Sequence, residues 1–228
     1  MSSNHTTNYI PFRDTNYFSD FICDYLDEKS ELKQFYNRFP SLQNFEAQLK
    51  EKSNSEHVSE SHRAVLATTL TQQYANIDTS EFTHQNIEDL KSKKTFTITT
   101  GHQLNLFTGP LYFLYKIIST INLTKQLKAK YPDYNFVPIY WMASEDHDFE
   151  EINYFNFNGK KVHWNKEASG AVGELTTEGL NSVFELFSQE LGVGKNAHYL
   201  RKLFTESYLK HDNLAEATRY LTNALFSE

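Results

Sequence analysis

The stretch from residue 94 to residue 143 constrains the fold of this chain more than any other part of the sequence. Residues 94–100 alternate β-branched or aromatic side chains with polar ones, which is typical of a strand. From Pro110 to about residue 128, apolar side chains recur at helical spacing. Residues 136–143 form a short apolar run, which predicts a strand that is buried on both faces. Strand, helix and strand in this order predict a parallel βαβ unit.

Each predicted strand is followed by a polar motif. The first motif, residues 100–110, is Thr-Gly-His-Gln-Leu-Asn-Leu-Phe-Thr-Gly-Pro. The second motif, residues 144–151, is Ser-Glu-Asp-His-Asp-Phe-Glu-Glu. Parallel strands present their carboxyl ends at one edge of the sheet, where open α/β folds bind ligands. We therefore expect the two motifs to meet in one cleft.

The first motif has features of an anion-binding loop. We predict that Gly101 lets the backbone turn sharply after the strand, and that Thr108 and Gly109 cap the helix that starts at Pro110. Free N–H groups near Gly101 and at the helix start are predicted to bind an anion. Lys116, two turns into the helix, could add a point charge for a phosphate or carboxylate. The loop has neither a Walker nor a dinucleotide glycine pattern, so a polar turn before a capped helix is the alternative.

Four more polar residues of the first motif are candidate site residues. His102 has a side chain suited to acid–base work or to holding a developing charge, and a surface or capping histidine is the alternative. Thr100, Gln103 and Asn105 are predicted to bind substrate. The alternative for Gln103 and Asn105 is that they satisfy backbone groups of the loop.

The second motif places Glu145, Asp146, His147, Asp148 and Glu150 within six residues. Strand alternation would send residues 145 and 147 to one face and residues 146 and 148 to the other. A histidine beside carboxylates can form an acid–base pair, bind Mg²⁺ or Zn²⁺, or hold a substrate amine. The alternative is that Asp146 or Asp148 caps a short helix and the other side chains are solvated.

The chain is predicted to contain three segments. Residues 1–93 are expected to be mainly helical and to include a helix that Asn16 caps. Residues 94–152 form the βαβ unit, and residues 153–228 are predicted to form a β-hairpin around Asn158-Gly159 followed by helices. A doubly wound sheet with two parallel strands is unfinished, so we interpret the chain as a fragment of a longer protein.

Charge and hydropathy limit the classes of function. The formal net charge of −7 argues against an electrostatic nucleic-acid binder, which needs a basic face. No stretch approaches about 20 apolar residues, so the sequence predicts no membrane-spanning helix. The first residues lack the charged and apolar regions of a signal peptide, and a cytoplasmic location is expected.

Cysteine and histidine usage gives no sign of a metal centre. The single cysteine, Cys23, allows no internal disulfide and no Cys-x-x-Cys site, which fits a reducing compartment. We predict that Cys23 is buried on the apolar side of a helix. The remaining histidines have no partner at metal-ligand spacing and are predicted to be structural or surface residues: His5, His57, His62, His84, His163, His198 and His211.

The two motifs resemble the signature of one protein family. Residues 100–116 and 138–152 are similar to the corresponding motifs of the cysteine-adding enzyme of bacillithiol biosynthesis, and the resemblance is specific over about residues 95–164. It implies a Rossmann-like α/β core, related to nucleotidyltransferase folds, which is incomplete here and carries N-terminal helices. Residues 151–228 would begin an inserted segment of a hairpin and helices. Family members are typically more than twice as long and dimerise through a C-terminal coiled coil, so a homodimer is implied for a full-length protein.

The resemblance also implies a reaction, in which the carboxyl group of L-cysteine is joined to the amine of glucosaminyl malate. On that basis, residues 101–109 and Lys116 are expected to contact a nucleotide phosphate or the malate, with Glu145 as a further binding residue. Asp146, His147 and Asp148 are expected to orient and deprotonate the attacking amine.

Three points stay open in the sequence. Family members often carry Gln at the position of His102, which favours hydrogen bonding there over acid–base catalysis. ATP with Mg²⁺ is a candidate activator that no nucleotide fingerprint identifies. Two other functions compete with the ligase: a noncatalytic ligand-binding or assembly module on the same fold, and a metal-dependent hydrolase that uses the acidic cluster 145–151.

Overall fold

The computed structural model describes residues 6–55 and 58–227, which form two compact units. His5 and His57 lie outside the described residues, so their predicted roles have no structural counterpart. None of the described helices combines the length and the apolar composition needed to cross a membrane. The three predicted segments stay a prediction, because the contacts divide the chain only near residue 57.

The first unit, residues 6–55, is built from short helices. The first α-helix begins after Ser19, whose hydroxyl accepts a hydrogen bond from the Ile22 N–H. The prediction that Asn16 caps this helix is wrong, because Asn16 has a left-handed backbone and ends the preceding 3₁₀ turn. Cys23 is buried, as predicted. The helical segments are the 3₁₀ turns Phe12–Thr15 and Ser30–Phe35 and the α-helices α1 (Asp20–Leu26) and α2 (Phe45–Ser53).

The second unit starts with two α-helices, α3 (Glu60–Gln73) and α4 (Glu81–Asp89). Ser59 and Ser80 cap them, since each hydroxyl accepts a hydrogen bond from a backbone N–H in the first turn. The sequence analysis predicted α3 as part of the helical segment but did not single out α4, whose apolar side chains are few.

The predicted βαβ unit is confirmed. It consists of β1 (Thr95–His102), α5 (Tyr112–Lys130) and β2 (Asn135–Met142). The strands pair in parallel, from Thr95 opposite Asn135 to His102 opposite Met142. The carboxyl ends of both strands therefore lie side by side. One part of the prediction is wrong: β2 is not buried on both faces, because 60% of the Trp141 surface is exposed.

The predicted hairpin is also confirmed. Asn158 and Gly159, with φ of 49° and 74°, connect its two antiparallel strands. Positive φ at both turn positions favours Asn-Gly, and the twist of such a turn matches that of the strands. The elements from here to the end of the unit are α6 (Phe149–Ile152), β3 (Tyr154–Phe157), β4 (Lys160–His163), α7 (Leu180–Glu190), α8 (Lys195–Tyr208) and α9 (Leu214–Phe226).

The hairpin and α7 to α9 enclose an aromatic core. Trp164, Phe187, Phe204 and Tyr208 are each at most 1% exposed. Leu104 and Leu106 of the first motif belong to the same cluster. Burial of side chains of this size contributes roughly 1.5–3 kcal/mol each. The loop that follows β1 is thus attached to this buried aromatic core.

Candidate functional site

The first motif forms a strained loop between β1 and α5. Gly101 lies inside β1 opposite Trp141, so its predicted role as the turn is wrong. The chain reverses instead at Phe107, Thr108 and Gly109, whose φ angles are 46°, 69° and 53°. Left-handed backbone at non-glycine residues costs about 1–3 kcal/mol each. The predicted capping by Thr108 and Gly109 is wrong as well, because α5 begins at Tyr112 without a side-chain cap.

Contacts with the aromatic core hold this loop in place. The Phe107 N–H donates a hydrogen bond of 2.9 Å to the Tyr208 hydroxyl. The Phe107 ring centroid lies between 5.1 and 5.5 Å from the rings of Phe155, Phe187 and Phe204. These contacts offset the backbone strain. The apolar residues inside the polar motif were the sequence signal for this anchor, and the sequence analysis did not use them.

Gln103 joins the two motifs. Its Nε2 donates hydrogen bonds to Asp146 Oδ2 at 3.0 Å and to Glu151 Oε2 at 2.8 Å. An amide nitrogen carries two hydrogens, so both bonds form at once. The prediction that the motifs meet is therefore confirmed for Gln103 and Asp146. The sequence analysis missed Glu151 as a site residue.

Asp146 is ionised, and its low pKa makes it too weak a base to serve as the general base. The Gln103 amide, followed by the backbone N–H groups of Asp148 and His147, lowers the pKa of Asp146 below its ordinary value of 3.8. The two backbone groups donate to Oδ1 at 3.2 and 2.7 Å. A general base works best when its pKa lies near the operating pH. Asp146 is better suited to holding a cation.

The remaining acidic motif does not follow strand alternation, so that prediction is wrong. β2 ends at Met142, and residues 143–148 form a loop. Glu145, His147 and Asp148 are exposed. Asp148 occupies the N-cap position of α6 without a side-chain cap hydrogen bond, so the capping alternative is not observed for it. His147 Nδ1 lies 3.9 Å from Asp146 Oδ1, too far for a hydrogen bond but close enough for charge to act.

His102 is buried and neutral. Its Nδ1 lies 3.0 Å from the Gln103 carbonyl oxygen, which can only accept, so Nδ1 carries the hydrogen and Nε2 the lone pair. Burial lowers the pKa of His102 below 6.5, and Lys116 acts in the same direction. The ring packs against Tyr112 and Phe113, with centroids 5.0 and 5.5 Å away. This environment suits hydrogen bonding.

Two cavities divide the predicted binding residues. A cavity of about 410 Å³, the lysine cavity, is lined by Thr100 and Lys116, and the Lys116 ammonium donates to the Gly101 carbonyl. A cavity of about 680 Å³, the amide cavity, is lined by residues of the loop, of α6 and of the hairpin. Tyr112 lines both cavities. Besides Tyr112, the polar lining residues of the amide cavity are Gln103, Asn105, Glu151, Tyr154 and Asn156.

Three predicted binding residues, Gly101, Thr108 and Glu145, line neither of these two cavities. The same holds for the predicted catalytic residues His102, Asp146, His147 and Asp148. Gly109 lines the amide cavity. Within residues 6–55 and 58–227, no three His, Cys, Asp or Glu side chains gather closely enough to hold a metal ion. The acidic side chains of residues 145–151 therefore do not gather around a common metal position.

Comparison with known proteins decides the family. The model of the family described as "Bacillithiol biosynthesis BshC, N-terminal Rossmann-like domain" matches residues 6–228. The chain belongs to this BshC family. Both the predicted resemblance and the Rossmann-like fold class are thereby confirmed.

Several relatives carry the name "Putative cysteine ligase BshC". The protein of Flavobacterium johnsoniae is 62% identical over 97% of this chain and 41% of its own length. That of Flavobacterium psychrophilum is 59% identical over 97% of this chain and 42% of its own. That of Cytophaga hutchinsonii is 39% identical over 96% of this chain and 39% of its own length. The chain thus spans about two fifths of the length of these BshC proteins.

Proposed function

We propose that this protein is a ligase of bacillithiol biosynthesis that joins the carboxyl group of L-cysteine to the amine of glucosaminyl malate. The observation that carries the proposal is the Gln103 bridge to Asp146 and Glu151, which gathers two carboxylates at the carboxyl edge of the sheet. The names of the BshC relatives support a cysteine ligase. A homodimer and a cytoplasmic location belong to the same proposal.

Amide formation requires a free amine next to an activated carboxyl carbon. The amine nitrogen attacks that carbon, the new C–N bond forms, the bond to the leaving oxygen breaks, and the amine loses a proton. Asp146 stays ionised and orients the amine through its negative charge. His147, 3.9 Å from Asp146 and exposed, takes the proton into solvent, and the carboxylate of Asp146 stabilises the resulting imidazolium. Asp148, the next residue, adds negative charge to the same exposed loop.

The lysine cavity is the proposed place for an activating phosphate. The Lys116 ammonium and the hydroxyls of Thr99, Thr100 and Ser119 are suitable donors, and the ring of Tyr115 offers a flat apolar surface. ATP would supply the leaving group on the cysteine carboxylate. Mg²⁺ that is held mainly by phosphate oxygens and water needs few protein ligands, so the scattered carboxylates are compatible with it.

The test is a product assay. The full-length protein is incubated with L-cysteine, glucosaminyl malate, ATP and Mg²⁺, and the thiol product is sought by mass spectrometry. We expect product from the wild type, and loss of turnover without unfolding in His147→Ala and Asp148→Asn. His198→Ala, at an exposed position on α8, is the matched control and should retain turnover.

Other outcomes would favour the competing functions. Absence of product with every nucleotide, while the substrates still bind, would replace the ligase with a noncatalytic binding module. Tight stoichiometric zinc in the purified protein would favour a hydrolase. Turnover at the wild-type rate in both His147→Ala and Asp148→Asn would remove these residues from the site.

A further inference from the structure

A residue that lines the amide cavity carries a buried hydrogen-bond acceptor without a partner among the described residues. Asn105 lines this cavity and is only 7% exposed. Its Nδ2 donates to the Glu151 carbonyl, which fixes the orientation of the amide. Asn105 Oδ1 then has no hydrogen-bond partner among the described residues. Buried polar atoms are rarely left unpaired, so a ligand that donates an N–H or O–H is expected here.

The negative charge of Glu151 indicates which kind of donor would bind Asn105 Oδ1. Glu151 lines the same cavity, and its carboxylate shares the Gln103 amide with Asp146. No lysine or arginine lines the cavity among the described residues. A carboxylate next to an unpaired amide oxygen favours a positively charged donor, and a primary ammonium has both the charge and the hydrogens.

A second wall of the amide cavity, which adjoins Asn105, favours an anion. Gly109, Pro110, Leu111 and Tyr112 line it, at the start of the 19-residue helix α5. The first N–H groups of a helix have no intrahelical acceptor and point out of its positive end. The N–H groups of Leu111 and Tyr112 have no acceptor among the described residues. They are available to a carboxylate.

The two walls are held close together. A Cβ at Gly109 would lie 2.5 Å from Asn105 Cβ and 2.9 Å from its Cγ. The backbone just before α5 is therefore in contact with the Asn105 side chain, and only glycine permits this approach. A ligand that satisfies both walls must carry its ammonium and its carboxylate a few bonds apart.

We propose that the amide cavity binds an α-amino acid, with its ammonium between Asn105 Oδ1 and Glu151 and its carboxylate at the start of α5. The identity of that amino acid as L-cysteine rests on the proposed function. Tyr112 also lines the lysine cavity. The carboxylate of the amino acid at the start of α5 would therefore lie next to the cavity that is proposed for the activating phosphate. Glucosaminyl malate has an amine and carboxylates too, and the test separates the two sources.

The first test is calorimetric titration of the full-length protein with three thiol probes. L-cysteine has both charges, cysteamine lacks the carboxylate, and N-acetyl-L-cysteine lacks the ammonium. We expect L-cysteine to bind at least about tenfold more tightly than either analogue. Equal affinity for cysteamine or N-acetyl-L-cysteine would overturn the proposal. So would displacement of L-cysteine by saturating glucosaminyl malate.

The second test is a pair of matched variants. Asn105→Ala should weaken L-cysteine binding about tenfold or more, and Asn122→Ala, on the exposed side of α5, should not change it. Circular dichroism and thermal unfolding check that both variants fold. If Asn105→Ala fails to fold, the three-probe titration of the wild type decides. Unchanged affinity in folded Asn105→Ala would contradict the proposal.

The product assay distinguishes a failure of this proposal from a failure of the ligase. If product forms and Asn105→Ala raises the KM for glucosaminyl malate but not for L-cysteine, the ligase stands and the amino-acid site is wrong. If L-cysteine binds with the expected selectivity and no product forms, the amino-acid site stands and the ligase is wrong.

Discussion

The two motifs occupy equivalent places after neighbouring parallel strands, yet they are built in opposite ways. In the first motif, His102, Leu104, Asn105 and Leu106 are at most 9% exposed. In the second motif, Glu145, His147 and Asp148 are exposed. Residues of the first motif line both cavities, whereas most acidic side chains of the second motif are exposed to solvent.

The difference follows from the apolar residues of each motif. Leu104, Leu106 and Phe107 connect the first loop to the aromatic core. In the second motif the apolar anchors, Phe149 and Ile152, lie in α6, after the acidic residues. We therefore expect substitutions in the first motif to reduce stability, and substitutions of the exposed residues Glu145, His147 and Asp148 in the second to reduce activity alone.

The largest effect is expected at the aromatic anchor of the first motif. Phe107→Ala should lower the free energy of unfolding by about 3 kcal/mol, because it removes a ring that contacts three phenylalanines. Denaturant unfolding measures the change. Phe82→Ala is the control, since Phe82 is 74% exposed, and it should stay within about 0.5 kcal/mol of wild type. Equal losses in both would show that the loop is not anchored.

A smaller loss is expected at the glycine that ends the loop. Gly109→Ala should cost about 2 kcal/mol, because φ is 53° and the new Cβ would overlap the Asn105 side chain. Gly192→Ala is the matched control, since a Cβ at Gly192 meets nothing within 4 Å. Denaturant unfolding of both variants should separate them. A Gly109→Ala protein as stable as the control would disprove the close approach.

His102 should make stability depend on pH. Its folded pKa lies below the ordinary 6.5, so between the two values the unfolded chain binds more protons than the folded one. The contribution of His102 to the free energy of unfolding is fully present above about pH 6.5. It falls as the pH decreases from about 6.5 to the lower pKa of the folded state. Unfolding at about pH 7 and about pH 5 should show a larger loss for wild type than for His102→Gln. Identical losses would refute the buried, neutral histidine.

The smallest change in stability is expected in the second motif. His147→Ala and Glu145→Ala remove exposed side chains, so each should stay within about 0.5 kcal/mol of wild type in denaturant unfolding. A loss of about 2 kcal/mol in either would erase the contrast between the motifs.

The regular elements around the site follow from local sequence patterns. The strands of the βαβ unit were predicted at 94–100 and 136–143 and lie at Thr95–His102 and Asn135–Met142. The hairpin follows from Asn158-Gly159. These features depend on the side-chain period and on turn preferences, both of which are local.

The details of the site depend on tertiary contacts that a local pattern does not contain. Gln103 bonds to residues 43 and 48 positions away, and the sequence spacing gave no sign of this bridge. The predicted turn at Gly101 is wrong because β1 continues two residues further than expected, paired with β2. The exposure of His147 depends on the loop at 143–148, which replaced the expected strand end.

The central claim is that the two motifs form one site through Gln103. A double-mutant cycle with Gln103→Ala and Asp146→Ala, measured by the free energy of unfolding, tests it most directly. The hydrogen bond of 3.0 Å between the two side chains predicts that the losses of the single variants are not additive, with a coupling of about 1 kcal/mol. Losses that add within about 0.3 kcal/mol would show that the motifs do not interact, and the shared site would be wrong.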